Sequence, residues 1–410
     1  KRGMLNMSET KMSQLLRQRN FQSEATGSLL AFTIPHLMFN LNGKVMFDWQ
    51  RVSAGLNSLS DASGSEQKTW LLGAFVSPKI LLHFGNRLQW LVYVPVGVKY
   101  YHSADGSLDY DKRFFSTCPY SNLTYKPTGR LSFDLTTICE ESMPSVLSQM
   151  VLKHYVNYRT TMSNPHQVEI APNRSVKLAF TSSYKDIIKM LFGGVTLSYV
   201  DARNGNSMGY QVVDDVVNYI VQPQSTKNRV WQIEQMVSKG FFRWNSKISE
   251  SLSIGTFRSE YYVGGDCHDG RSDYLQAKIS YVASVRKWLN LSISNDYSVS
   301  KPYTDGKASG EVYRTFMNAS SFTFWLGKQL NVVPSVQYYH NNYFSSGRNN
   351  VFLNTVMEYY WGNATLSLKC TNLLDSRTFH RIIDNGITRY SGEYQLRGRT
   401  ILFGIRIKII

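Results

Sequence analysis

The chain lacks any uninterrupted run of about 18 apolar residues, so a membrane span built from hydrophobic helices is excluded. Its mean hydropathy is −0.28. Cysteine is also scarce: Cys118, Cys139, Cys267 and Cys370 are the only ones in 410 residues. They show neither CxxC spacing nor any other metal-ligand pattern, and they do not reveal the redox compartment.

Catalytic signatures are missing too. The sequence contains no Walker loop, no GxSxG, no HExxH and no dinucleotide fingerprint, and its eight histidines are dispersed. One segment, Gly264–Gly270, concentrates possible ligands in Asp266, Cys267, His268 and Asp269. Adjacent residues rarely converge on one ion, so this segment is predicted to be a polar loop tip. We therefore expect no enzyme activity, no cofactor and no metal site.

Positive charge is abundant, with a formal net charge of +16. In a soluble protein this excess would point to nucleic acid. The basic residues are scattered rather than gathered in a stripe or an arm, so no nucleic-acid partner is predicted. Inside a barrel they would favour anions in the lumen, and outside it they would contact anionic lipid headgroups.

Alternation of apolar and polar residues is clearest near the end of the chain. In residues 364–371, Ala364, Leu366, Leu368 and Cys370 alternate with polar residues. Residues 401–409 repeat the pattern with four isoleucines and Phe403 on one side. A period of two predicts strands with one face in an apolar medium and the other in a polar medium.

Turn signals define the architecture. Short breaks with Gly, Pro, Asn or charged residues recur along the chain, including Pro35-His36, Gly85-Asn86, Gly327-Lys328 and Arg397-Gly398. Longer polar segments lie between them, such as 142–172 and 202–225. Aromatics make up 13% and crowd the strand ends like interfacial girdles.

These features predict an all-β fold, namely a transmembrane antiparallel β-barrel of roughly 16–22 strands, of which this chain supplies about 18. Short periplasmic turns and long extracellular loops would connect the strands. A soluble sandwich rich in tyrosine would also explain the alternation, but it would not explain the asymmetry between short turns and long loops.

The alternation also assigns charged residues to the lumen. The predicted lumen-facing basic residues are Lys99, Lys177, Lys247, Lys278, Lys369, Arg406 and Lys408. A basic interior concentrates anions by focusing the field. The same residues could instead only solvate the interior or pair with acidic groups. Long loops rich in Tyr, Asn and Arg, at 335–350 and 377–390, are candidates for stacking on sugars or peptides.

The last fifty residues resemble the C-terminal end of TonB-dependent outer-membrane receptors of the Bacteroidetes type. The resemblance is carried by Asn372, Leu373, Leu374 and Asp375 and by Arg399-Thr400, which leads into the closing strand. Leu374 and Ile410 stand where the family has aromatic residues. The hairpin around Lys126-Pro127-Thr128-Gly129 is similar to a mid-barrel hairpin of that family.

The resemblance implies the barrel of a Gram-negative outer-membrane receptor that takes up a nutrient. Its partners would be outer-membrane lipid, the TonB system acting through an N-terminal plug, and a surface lipoprotein. No apolar leader follows Lys1, so the chain is either mature or lacks its N-terminal part. The roughly 18 strands predicted here fall short of the roughly 22 in the family's barrel. We therefore expect residues 1–410 to be one barrel domain that is incomplete at its N-terminus and lacks the plug. The alternatives are a passive porin-like channel and a structural barrel of an envelope secretion or assembly complex.

Overall fold

The computed structural model describes residues 13–57, 62–104, 109–151, 153–157, 160–164, 168–213, 216–343, 348–384 and 389–408. Within these ranges helix is limited to α1 (Val146–Gln149) and one 3₁₀ turn (Phe242–Trp244). No helix in these ranges is long and apolar enough to cross a membrane.

Strands make up nearly all of the remaining regular structure, and they are numbered in chain order. They are β1 (Ser13–Ile34), β2 (Leu37–Asn57), β3 (Ala62–Phe84), β4 (Leu88–Tyr93), β5 (Val96–Ala104), β6 (Asp109–Thr117), β7 (Tyr120–Tyr125), β8 (Leu131–Ser142), β9 (His154–Asn157), β10 (Thr160–Ser163), β11 (Asn173–Asp186), β12 (Leu191–Asn204), β13 (Ser207–Val213), β14 (Val216–Gln222), β15 (Thr226–Phe241), β16 (Ser246–Val263), β17 (Asp266–Arg286), β18 (Leu289–Thr304), β19 (Lys307–Ala308), β20 (Tyr313–Leu326), β21 (Leu330–Asn341), β22 (Asn349–Trp361), β23 (Ala364–Thr371), β24 (Thr378–Asp384), β25 (Arg389–Gln395) and β26 (Thr400–Ile407).

Twenty-four of these strands form one sheet, and β24 and β25 form a separate hairpin. The principal strands follow one another as antiparallel neighbours from β1 to β26. Strands β4 and β5 together face β3, and β6 and β7 face them in turn, so each pair makes one crossing. The result is a succession of seventeen antiparallel crossings, here called the wall. The predicted all-β fold is confirmed, with one large, mainly antiparallel sheet of many strands.

Short turns join the strands at one end of the wall, and longer segments join them at the other. Pro35-His36, Gly85–Arg87 and Gly327–Gln329 form tight turns, as the sequence predicted. Positive φ angles at Gly85 and Gly327 explain why glycine stands there. These two ends are called the turn end and the loop end of the wall.

Two turn predictions were wrong. Gly264-Gly265 closes a tight hairpin between β16 and β17, with φ of 60° and 104°, where a long polar loop was predicted. Arg397-Gly398 was predicted to be a tight turn, but it lies at the loop end, just before β26. The wall consequently has seventeen crossings where about 18 were predicted from turn counting.

Cross-strand register explains why these residues form a two-faced sheet. Two residues that face each other in register on adjacent strands direct their side chains to the same side of the sheet. A row of side chains can therefore be followed from strand to strand. One row crosses twelve successive strands, and every member is apolar. Its members are Ile34, Leu37, Leu82, Trp90, Leu123, Leu135, Phe180, Leu197, Ile233, Ile254, Leu275 and Val299. The side of the wall that carries this apolar row is called the apolar face.

The next row, one residue along each strand, is polar across twelve strands. Its members are His83, Gln89, Thr124, Asp134, Thr181, Thr196, Glu234, Ser253, Gln276, Ser298, Thr315 and Asn341. Hydrogen bonds link neighbours within this polar row, as at Thr124 to Asp134 (2.5 Å) and Ser298 with Thr315 (2.5 Å). The wall thus separates an apolar side from a polar one.

Candidate functional site

The polar face is the candidate functional surface, and it carries the predicted basic residues. Register places Lys177, Lys247, Lys278, Lys369 and Arg406 on this side of β11, β16, β17, β23 and β26. Lys408 follows directly after β26, where its N–H donates to Asn363 O. These six residues are spread over the face and are not gathered at one point.

Lys99 differs from the other six because a carboxylate neutralises it. Its Nζ lies 2.8 Å from Glu141 Oε1, and Arg174 Nε lies 2.8 Å from the other oxygen of the same carboxylate. The Glu141 side chain is only 2% exposed. In the described part of the chain the other six basic residues form no ion pair. Lys278 faces Asp296 in register, but the Asp296 carboxylate accepts hydrogen bonds from Gln276 Nε2 instead. Six of the seven are therefore available to attract anions.

An aromatic cleft of about 670 Å³ opens on the polar face near the loop end. Its rings come from β17, β20, β21, the segment just after β21 and the start of β24, and they are Tyr274, Tyr313, Tyr339, Tyr343 and Phe379. The ring centroids of Tyr313 and Tyr343 are 4.9 Å apart, and those of Tyr339 and Phe379 are 5.4 Å apart.

Polar groups line the same cleft. Gln276, Ser298, Thr315 and Asn341, four members of the polar row, lie beside the rings, together with Asn342. Arg314 is the one charged residue among the described residues of the lining. Aromatic faces beside amides and hydroxyls suit a ligand that has an apolar face and hydrogen-bonding edges. The sequence singled out 335–350 and 377–390 for such stacking, and Tyr339, Tyr343 and Phe379 lie in those segments.

The family-motif residues meet at the loop end, where β23 leaves the wall and β26 rejoins it. Asn372 Oδ1 accepts from Ser376 N–H (2.9 Å), and its Nδ2 donates to Ser376 O (2.8 Å) and to Arg397 O (2.9 Å). Asp375 Oδ1 accepts from Arg399 N–H at 2.8 Å. We call Asn372–Arg377 together with Arg397–Thr400 the buckle.

Further contacts attach the buckle to the wall and to the β24–β25 hairpin. Arg399 Nε donates to Leu373 O (3.1 Å), and Leu373 N–H donates to Leu353 O (2.8 Å). Thr400 Oγ1 donates to Gly398 O (3.1 Å), whereas the Leu374 side chain is 54% exposed. The left-handed φ of Asn372 (53°) and Asp375 (55°) fits residue types that tolerate this region. The buckle fixes both ends of the hairpin that carries Phe379 into the cleft.

The buckle is expected to respond to acid. Hydrogen bonding from Arg399 N–H, and next from the Arg377 guanidinium, holds the pKa of Asp375 below its usual 3.8. A carboxylate with a lowered folded-state pKa stabilises the fold fully above the unfolded value and loses this contribution as pH falls through the folded value. Amide protection factors in β25 should therefore hold at pH 5 and fall below pH 3.8. Asp375→Asn should remove that pH dependence, and an unchanged profile in this variant would contradict the assignment.

The possible metal ligands of the segment Gly264–Gly270 do not converge on one point. His268 Nδ1 lies 2.8 Å from Asp305 Oδ2, and Asp269 N–H donates to Asp305 Oδ1 at 2.9 Å. No group of three or more His, Cys, Asp or Glu in the described ranges could hold a metal ion. The contacts of His268 and Asp269 with Asp305 connect the β16–β17 hairpin to the segment that follows β18.

Sequence reasoning missed two parts of this surface. Tyr274 and Tyr313 were not marked as cleft residues, because each is one tyrosine among 26 until register places it beside the others. Glu141 and Arg174 were not recognised as partners of Lys99, because they lie 42 and 75 positions away along the chain. The period-two pattern identifies a face, but it does not show which distant strands meet.

Comparison with known proteins adds little detail. No protein-family model matches the chain, and no curated protein matches it. Among solved structures, the copper transporter OprC is 9% identical over 95% of this chain and 72% of its own, with a TM-score of 0.49. The ferric yersiniabactin uptake receptor FyuA from Yersinia pestis is 12% identical over 96% of this chain and 62% of its own, with a TM-score of 0.44.

The FrpB iron transporter from Neisseria meningitidis is 8% identical over 96% of this chain and 81% of its own, with a TM-score of 0.40. At these values the similarity concerns general architecture only. The fold assignment rests on the strand order and register of this chain.

Proposed function

We propose that this chain forms the wall of an outer-membrane passage and transports a nutrient as the barrel of a TonB-dependent receptor-like protein. The observation that carries this proposal is the pair of adjacent rows, one apolar and one polar, each crossing twelve strands. In lipid every backbone polar group must find a partner within the protein, and a closed antiparallel sheet meets that requirement. The apolar face then contacts lipid, and the polar face lines the passage.

Strand direction supports a wall completed by further strands. β1 and β26 run in the same direction, because they are the first and the last of seventeen crossings that alternate in direction. An odd number of additional strands is needed for every neighbour in a closed barrel to be antiparallel. We propose that a preceding part of the protein supplies them together with a plug, through which the TonB system acts. A surface lipoprotein partner belongs to the same proposal.

The mass of the intact protein in native outer membrane tests this reading. A mass well above the 46.9 kDa of this chain supports the plugged receptor. A mass near 46.9 kDa would overturn it in favour of a passive channel. Stable co-purification with a large envelope complex would favour the structural barrel.

The unpaired basic residues predict that the passage prefers anions. In planar bilayers bathed in potassium chloride, the intact protein should be more permeable to chloride than to potassium. Replacing Lys278, Lys369 and Arg406 with glutamine should reduce this preference about threefold or more, because the field of the polar face weakens. Lys239→Gln, on the apolar face of β15, is the matched control and should leave selectivity unchanged. Equal effects of both changes would contradict the assignment.

A further inference from the structure

A segment between two crossings folds back over the polar face. The described residues 143–151, 153–157 and 160–164, here called the strap, lie between β8 and β11 and contain α1, β9 and β10. Val146 and Met150 of the strap pack in one cluster with Val52 and Ala54 of β2. Met150 and Val52 are completely buried, at 0% exposure. This cluster is an apolar core on an otherwise polar face.

Hydrogen bonds fix the strap beside this core. Tyr101 Oη donates to Gln149 Oε1, and Ser103 Oγ donates to the same oxygen at 3.2 Å. Gln67 Nε2 donates in turn to Ser103 Oγ at 2.7 Å. These wall residues belong to β3 and β5, and all are buried. Side chains of the wall thus satisfy the side-chain oxygen of Gln149, which the strap buries against them.

The second half of the strap continues across the polar face as a hydrogen-bonded bridge. β10 pairs with β14 in parallel, and Thr161 Oγ1 donates to Asn218 Oδ1 at 2.6 Å. β14 pairs with β13, and β13 pairs with the loop end of β16. Contacts therefore run without a gap from β2 and β3, through the strap, to β16.

The ion triad of Lys99, Glu141 and Arg174 holds the two wall strands, here called the roots, between which the strap lies. Glu141 lies two residues before the strap, near the end of β8, and Arg174 is the second residue of β11. The Glu141 carboxylate lies 2.8 Å from Arg174 Nε and 2.8 Å from Lys99 Nζ on β5. The two roots are thus fixed to each other and to a third strand. A segment anchored at its roots, its core and its far edge is held in one place.

We propose that the strap is a fixed internal partition that covers the polar face between β2 and β16 and limits what passes along it. The limit on passage rests on the proposed transport function, whereas the coverage of the polar face does not. The aromatic cleft lies beyond β16 and stays outside the covered area. Solute would therefore pass along the side of the wall that carries the cleft.

Cysteine labelling tests the coverage without any transport. Thr69 lies beneath the strap and is 3% exposed, whereas the exposed Gln276 lies on the polar face of β17, beyond β16. In a background with the four native cysteines replaced by alanine, Thr69→Cys should react with a charged maleimide about tenfold or more slowly than Gln276→Cys. Adding Val146→Ser with Met150→Ser should raise the Thr69→Cys rate and leave the Gln276→Cys rate unchanged. Equal rates before this addition would overturn the proposal.

Hydrogen exchange of the unaltered protein provides a measurement that requires no variant. Amides of Thr160–Ser163 should exchange as slowly as those of the wall strand β16, because β10 belongs to the bridge. Exchange on the timescale of an open loop would overturn the partition. Conductance addresses the passage separately: releasing the strap with Val146→Ser and Met150→Ser should raise it. Faster labelling at Thr69→Cys with unchanged conductance would overturn the limiting role and leave the proposed transport intact.

Discussion

Leu197→Arg should strongly destabilise this protein in lipid. Leu197 lies in the middle of β12, is 46% exposed, and stands in the apolar row between Phe180 and Ile233. A lipid-facing arginine near the bilayer midplane costs about 2–4 kcal/mol in barrels of this kind. The free energy of unfolding, measured by urea titration in phosphatidylcholine vesicles, should fall by that amount.

Ser198→Arg is the matched control for this experiment. Ser198 is the next residue of the same strand and faces the polar side, opposite Ala179 and Gln232. The new guanidinium would meet water there, so we expect a change within about 0.5 kcal/mol. Equal losses in the two variants would mean that the faces are not exposed to different media.

Asn372→Ala should release the β24–β25 hairpin from the wall. The change removes three hydrogen bonds, to Ser376 N–H, Ser376 O and Arg397 O, and leaves alanine at a φ of 53°. Losing bonds to partly buried backbone groups costs about 1–3 kcal/mol. Amides of β24 and β25 should then exchange about 10-fold to 100-fold faster, while those of β16 should not change.

Two further variants separate the loss of hydrogen bonds from backbone strain at position 372. Asn372→Gly keeps the left-handed φ without strain and removes the same hydrogen bonds, so it should also accelerate exchange. Leu374→Ala changes the exposed motif residue and should have no effect. If Asn372→Gly left the hairpin as protected as before, the hydrogen bonds would not be what anchors it.

The two-faced wall could be predicted from the sequence because it depends on a local pattern. In β23 and β26, Leu368 faces Phe403 and Leu366 faces Ile405, as the alternation requires once the strands pair. The Gly264-Gly265 turn also left a signal, since two glycines between strands favour a tight hairpin. The sequence prediction gave more weight to the polar residues that follow, and it was wrong there.

The strap, the cleft and the ion triad could not be predicted in this way. Each depends on which loop folds back over which strand, and alternation along one strand contains no such information. Residues 142–172 have the polar composition of an ordinary long loop, yet Val146 and Met150 bury against β2. Arg397-Gly398 has the composition of a tight turn, yet Arg397 O accepts a hydrogen bond from Asn372 in the buckle.

A spin-label scan along Val195–Val200 of β12 shows whether the two faces of the wall meet different media. Single cysteines are introduced in the cysteine-free background, labelled, and placed in lipid nanodiscs. Labels at 195, 197 and 199 should collide with oxygen dissolved in lipid, whereas labels at 196, 198 and 200 should collide with a water-soluble nickel complex. Equal accessibility to the nickel complex at all six positions would contradict a wall that separates lipid from water.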